Sequence, residues 1–337
     1  MNWGINPFLL LKSVEIIDLD KFSFLQTPPH KQIQGYLNYS YRQEISSILI
    51  IGERGSGKTT TLIWLKRQIE AQKELDNKHN YRFVLYNNLR QLNLHDTIKD
   101  LGYSSAQDLY AASHKEENKL YVLIDVADKM SARDYMHFVE YLEDLMHTAP
   151  PLVMIVSMNS ETKKLIDSKF SLILGKFLNV GLKPFSLDET REFLASRLEA
   201  VNIQDRFSEE AVETTQEISR GIPRSIISVA LRLSEPQHDI NTMTRNRALE
   251  ILEVQDFIEE LIEVNIENPT LRESAIYLYR IILSNQSYEN QTDLMRDVKL
   301  NKKTIIRCLD ILSDLGIIQI ERAGRTHVAK KIQVRKW

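Results

Sequence analysis

The residues best suited to chemistry lie together in Gly52-Glu53-Arg54-Gly55-Ser56-Gly57-Lys58-Thr59, which fits the pattern G-x-x-x-x-G-K-[ST]. This spacing suits the holding of a polyphosphate. Glycines let backbone N–H groups approach phosphate oxygens, and a helix beginning at the lysine adds its positive end. Lys58 is placed to neutralise the β- and γ-phosphates, and Thr59 to give a hydroxyl to Mg²⁺. Gly52, Gly55, Ser56, Gly57, Lys58, Thr59 and Thr60 are therefore the candidate residues for binding ATP or ADP. A second group stands at the end of Leu120-Tyr121-Val122-Leu123-Ile124-Asp125, where an acid after an apolar run is suited to holding Mg²⁺ through water. Thr59 and Asp125 form the candidate metal pair. Val126 follows and cannot act as a general base. Asp128 is the nearest substitute, and loss of such a base commonly costs roughly 10²–10⁴ in rate. A third group closes the run Met154-Ile155-Val156-Ser157-Met158-Asn159-Ser160. Asn159, and after it Ser157, is the candidate to reach the γ-phosphate or the attacking water; the alternative is that these side chains cap the next helix.

Such groups must be held by strands that end where the ligand sits. Short apolar runs at 47–51, 82–86, 120–124, 152–157 and 178–182 read as strands, with helices between them, including one at 132–146 behind an N-cap at Ser131. Strands alternating with helices predict an α/β fold with a mainly parallel sheet covered on both faces. Ligands of such sheets sit at the carboxyl ends of the strands, where the candidate residues fall. The first 45 residues read as an N-terminal extension, with turns at Asn6-Pro7-Phe8 and Thr27-Pro28-Pro29.

Beyond residue 184 helices dominate. Ser186 and Glu189 form a capping box for a helix over 188–200, followed by helices over 208–219 and 223–234. Gly221 ends one helix and Pro223 suits the first turn of the next. Arg224 opposes the positive end of that helix, a conflict that a nearby phosphate would remove. A linker and a helix over 248–264 lead to Asn268-Pro269, with a further capping box at Thr270 and Glu273. The last segment reads as a helix over 271–283, a loop, two short helices and two strands, the second helix capped by Asn301 and ended by Gly316.

Charge sets this segment apart. The whole chain carries a net charge of −3, yet residues 296–337 hold 11 Lys/Arg against 4 Asp/Glu, a balance of +7. The remaining 32 basic and 42 acidic residues leave a balance of −10. A basic end on an acidic body predicts a partner for that end, with double-stranded DNA the first candidate. Lys302, Lys303, Thr304 and Arg307 fall at the start of the expected recognition helix, and Arg322 and Arg325 at the wing between the strands.

The order of phosphate loop, Asp125, Asn159, Pro184-Phe185-Ser186 and Gly221-Ile222-Pro223-Arg224 resembles an AAA+ ATPase, and most the origin-recognition initiator clade of archaea and eukaryotes. The resemblance implies a P-loop core at 46–184, a helical lid and linker helix at 185–268, and a winged-helix DNA-binding domain at 269–337. It implies that Asn159 is sensor 1 and that Arg224 is sensor 2, touching the γ-phosphate from the lid. Asp125, Asp128, Asn159 and Arg224 are then the catalytic candidates. Two departures stand out. Val126 occupies the place of the usual glutamate, and the segment 169–177 offers Lys176 where the family has an arginine finger.

The composition, 43% hydrophobic and 26% charged, is that of an ordinary globular protein. The single cysteine, Cys308, excludes an intramolecular disulfide framework and a cysteine-based zinc site. No apolar run is long enough to span a bilayer, and residues 7–11 are too short for a signal core, so the expected place is the cytoplasm, at the nucleoid, or the nucleus. The leading expectation is a DNA-binding ATPase similar to a replication initiator, switched by nucleotide and slow in hydrolysis. The alternatives are a transposition or defence ATPase that assembles on DNA and recruits a partner, and a nucleotide-stabilised scaffold that binds protein.

Overall fold

The computed structural model describes residues 25–40, 47–87, 92–126, 132–149, 152–160, 162–164, 175, 177–200, 205–235, 238–252, 255–266, 268–285, 287–322 and 329–334. These residues divide into two compact units, one ending at Pro184 and one running from Phe185.

The first unit opens with helix α1 (Pro28–Ser40) and alternates thereafter: β1 (Ser47–Ile51), α2 (Lys58–Leu75), β2 (Asn80–Tyr86), α3 (Leu94–Asp100), α4 (Ala106–Ser113), β3 (Asn118–Asp125), α5 (Ala132–Thr148), β4 (Val153–Met158) and β5 (Leu178–Gly181). The sheet runs β2-β3-β4-β1-β5, and every pairing in it is parallel. Successive strand side chains go to opposite faces. Leu49, Val122, Ile124, Met154 and Val156 therefore pack on Phe138, Leu142 and Leu145 of α5. Ile48, Ile50, Tyr121, Leu123 and Ile155 pack on Leu62, Leu65 and Ile69 of α2. Ile33 and Leu37 of α1 belong to this second cluster, so α1 is part of the core where the sequence reads as an extension.

The second unit contains α6 (Leu187–Glu199), α7 (Glu209–Ser219), α8 (Pro223–Leu233), α9 (Arg245–Leu252), α10 (Gln255–Asn265), α11 (Pro269–Asn285), β6 (Ser287–Tyr288), α12 (Gln291–Asp297), α13 (Lys302–Asp314), β7 (Ile318–Arg322) and β8 (Ala329–Val334). The capping box of Ser186 and Glu189 opens α6. The helix expected over 248–264 falls on α9 and α10, with residues 253–254 outside the described residues, and one expectation changes. The cap before α11 is Asn268, whose side-chain oxygen accepts from the Leu271 N–H at 2.9 Å, instead of Thr270. Pro269 explains this: it has no N–H and its φ is preset for the first helical position, which leaves the preceding residue as the cap. The last three strands form an antiparallel sheet in the order β6-β8-β7, with β6 lying in the segment expected to be a loop. The elements of this last part run in the order α11-β6-α12-α13-β7-β8.

The turn between α7 and α8 is tightly bound within this unit. Arg220 has φ 54, the one positive value among the described non-glycine residues, and Gly221 follows at φ 72. The Gly221 carbonyl accepts from the Phe185 N–H at 2.7 Å, and the Gln216 amide donates to the Phe185 carbonyl at 2.7 Å. Arg220 donates to the carbonyls of Asp314 at 2.7 Å and Ser313 at 3.3 Å, in the last turn of α13. Gly316, at φ 72, leaves room for the guanidinium, because a Cβ there would stand 2.8 Å from Arg220 Nη2.

Candidate nucleotide site

Strand β4 lies between β1 and β3, and this placement assembles the site. The loop after β1 turns through Gly55 at φ 79 and Gly57 at φ 92, values that L side chains rarely adopt. Gly52 is equally constrained by space, since a Cβ there would meet Ser56 Oγ at 2.3 Å and Leu182 Cβ at 3.2 Å. Gly57 sits at the N-cap of α2 with no side chain to satisfy the first N–H groups of the helix. Those donors are left to an anion. Lys58 opens α2, is 8% exposed, and donates from Nζ to the carbonyls of Gly52 at 3.2 Å and Glu53 at 3.0 Å. The ammonium is thereby held over the loop.

Asp125, at the end of β3, pairs in register with Ser157 of β4. Ser157 donates from Oγ to one carboxylate oxygen, and Thr59 donates from Oγ1 to the other at 2.5 Å. The Val126 N–H donates to the Ser157 carbonyl at 2.9 Å, which fixes the strand ends against each other. The structure thus joins Thr59, Asp125 and Ser157 directly. Asn159 is engaged locally: its Oδ1 accepts from the Thr162 N–H at 2.6 Å, the capping geometry that the sequence left open as the alternative. Val126 is 2% exposed and packs in the apolar cluster under β3, so its position presents no polar group to the site. Thr60 lies in the first turn of α2, partly buried.

The donor set fits a polyphosphate with a divalent cation. Ser56 Oγ is buried without a hydrogen-bond partner among the described residues, which is the orphaned atom a phosphate oxygen would satisfy. The hydroxyl of Thr59 and the carboxylate of Asp125 are the hard oxygen ligands that Mg²⁺ takes, usually with several waters retained.

The other candidates lie elsewhere. Arg224 occupies the first turn of α8 in the second unit, partly buried. Lys302, Lys303 and Arg307 are exposed in the first two turns of α13, and Thr304 beside them donates to Asn301 Oδ1 from both N–H and Oγ1. Arg322 ends β7. Asp128, Ser131, Lys176 and Arg325 lie outside the described residues. One neighbour of the loop escaped the sequence reading. His30 of α1 lies with Nε2 3.0 Å from Thr61 Oγ1, on the first turns of α2.

A parallel sheet in the order β2-β3-β4-β1-β5, with a phosphate loop after the strand next to one edge and an acid two strands away, is that of a P-loop NTPase of the AAA+ type. Residues 46–201 match the family model of the NACHT domain and form a nucleotide-binding domain of the AAA+/NACHT type. Solved structures extend the likeness along the chain. The ORC1 protein of Aeropyrum pernix, in complex with DNA, aligns with a TM-score of 0.54 at 13% identity, over 98% of this chain and 93% of that one. The ORC2 protein of the same organism aligns with a TM-score of 0.52 at 14% identity, over 93% and 91%. The chain therefore has the fold of the AAA+ origin-recognition initiators. No curated protein matches it by sequence. Among the described residues no helix is long and apolar enough to cross a membrane.

Proposed function

We propose that this protein is a nucleotide-switched DNA-binding ATPase. ATP with Mg²⁺ is held by the loop 52–59, with Lys58 on the β- and γ-phosphates and Thr59 and Asp125 on the metal. Ser157 orients the Asp125 carboxylate for that task, and Arg224 of the lid senses the γ-phosphate. Hydrolysis is slow, because Val126 offers no base. The nucleotide then acts as a switch more than as fuel. Residues 269–337 carry the DNA-binding function, with α13 entering the major groove and Arg322 and Arg325 following the backbone beside it.

The observation that carries the DNA reading is the exposure of Lys302, Lys303 and Arg307 together at the start of α13, the second helix of a helix-turn-helix pair. Arg296 and Lys299, exposed just before it, enlarge the same basic surface. The shared fold with a protein solved in complex with DNA adds support. A salt titration of duplex affinity with ATP and Mg²⁺ present tests the reading. Each phosphate neutralised contributes about 0.9 to the slope of log affinity against log salt. Lys303→Ala should weaken binding on every duplex and lower the slope by about one, whereas Arg307→Ala should relax preference at one base position. Wild-type protein without measurable duplex affinity at low salt would remove the DNA function and leave a protein-docking role for this surface.

A further inference from the structure

His30 is 6% exposed and lies where α1 meets α2. Its hydrogen bonds fix its tautomer. The Thr27 N–H lies 3.2 Å from Nδ1 and can only donate, so Nδ1 carries a lone pair, and the Thr27 hydroxyl, 2.8 Å from the same nitrogen, is then a second donor to it. In the neutral ring the proton then resides on Nε2, which stands 3.0 Å from Thr61 Oγ1. The Thr61 hydroxyl accepts that proton contact and donates its own hydrogen to the Gly57 carbonyl at 2.9 Å. The same carbonyl also accepts from the Thr61 N–H at 2.8 Å. Two donors from one residue thus hold the carbonyl of the glycine whose φ of 92 shapes the phosphate loop.

We propose that His30 is a positioning residue of the phosphate loop: through Thr61 it fixes the Gly57–Lys58 peptide, and α1 thereby sets nucleotide affinity. The peptide unit is planar, so a carbonyl held along α2 sends the Lys58 N–H out of the helix start, the side on which anions bind. Without His30 the Thr61 hydroxyl keeps its bond to the Gly57 carbonyl but loses the partner that holds it there. With it, one orientation remains. The ring is braced for this by an edge-on contact with Trp64 at 5.8 Å, and by Ile33 and Leu37 packed with Leu62 and Leu65. Burial pushes its pKa down to about 4, so the ring stays neutral and keeps the required tautomer near neutral pH. The inference rests on the nucleotide-binding reading of residues 52–59.

The experiment measures equilibrium ADP affinity and melting temperature for wild type, Lys58→Ala, Thr61→Val, Thr61→Ser, His30→Phe, His30→Gln and the double variant His30→Phe/Thr61→Val. Loss of one ordinary hydrogen bond predicts an affinity about five-fold weaker for Thr61→Val and for His30→Phe. Thr61→Ser keeps the hydroxyl and His30→Gln supplies an amide donor, so both should return toward wild-type affinity. The double variant should bind no more weakly than the weaker single one, because both break the same chain. Wild-type ADP affinity in Thr61→Val and His30→Phe, with a lowered melting temperature, would overturn the proposal and reduce the trio to packing of α1 on α2. If wild type binds and Lys58→Ala does not, the nucleotide reading stands whatever the His30 arm shows. If wild type binds no ADP, that reading and this proposal fall together.

Discussion

Acid should weaken this protein through His30, whose pKa is lowered by burial. An unfolded histidine titrates at 6.5, whereas the folded, buried ring titrates at about 4. Between these values the unfolded chain takes up a proton that the folded chain refuses. The pKa is lowered on folding, so the contribution is fully present above pH 6.5 and is lost as the pH falls toward 4. At about 1.4 kcal/mol per pH unit, the whole loss is about 3 kcal/mol. At pH 5 it amounts to about 2 kcal/mol. Carboxylates titrate in the same window, so a difference measurement is needed. Urea denaturation of wild type and His30→Gln at pH 5 and pH 7.5 provides one, because both proteins carry the same acidic groups. The stability lost between the two pH values should be about 2 kcal/mol larger in wild type. Equal losses would mean that His30 binds its proton alike in both states, and the lowering of its pKa by burial would be wrong.

Gly221→Ala should destabilise the chain by about 3 kcal/mol in chemical denaturation, from left-handed strain and a Cβ placed 2.2 Å from the Phe185 carbonyl oxygen. ATP turnover by the wild-type protein should lie well below the median enzyme rate of about 10 s⁻¹, with or without DNA, in a steady-state phosphate-release assay. Val126→Glu should not raise that rate; it buries a carboxylate in the apolar cluster under β3 and should lower the melting temperature. Ser157→Ala should weaken the Mg²⁺ dependence of ATP binding more than binding of metal-free ADP, read by titration with and without chelator, because it frees one oxygen of Asp125 from its partner.

The strands of the parallel sheet were legible because they are buried on both faces. Each is a short apolar run, and the polar residue that ends it stands out against four or five hydrophobic neighbours. Thr59 and Asp125 could therefore be paired from sequence alone, and the structure brings their side chains within hydrogen-bond distance. Ser157 ranked second to Asn159 because a linear run does not say which polar residue meets Asp125; the parallel register sets Ser157 beside that carboxylate. Helix α1 hid for the opposite reason. Among its described residues the buried aliphatics are Ile33 and Leu37, with Tyr36 and His30 beside them, so its apolar stripe is short and mixed with polar types. Strand β6 is two residues long, below the length at which alternation can show.

The contact between Arg220 and the last turn of α13 makes that helix a lever with a gripped end. Its 13 residues span roughly 20 Å, with Lys302 at the far tip. The grip is by a guanidinium on backbone carbonyls, so it does not depend on the side chains that α13 displays. A tilt of about 10° at the gripped end would carry Lys302 through about 3 Å, comparable to the rise of one base pair. Ile305, Cys308, Leu309 and Leu312 bury the inner face of α13 along its length, so the basic tip can be retuned by substitution without loosening its mounting.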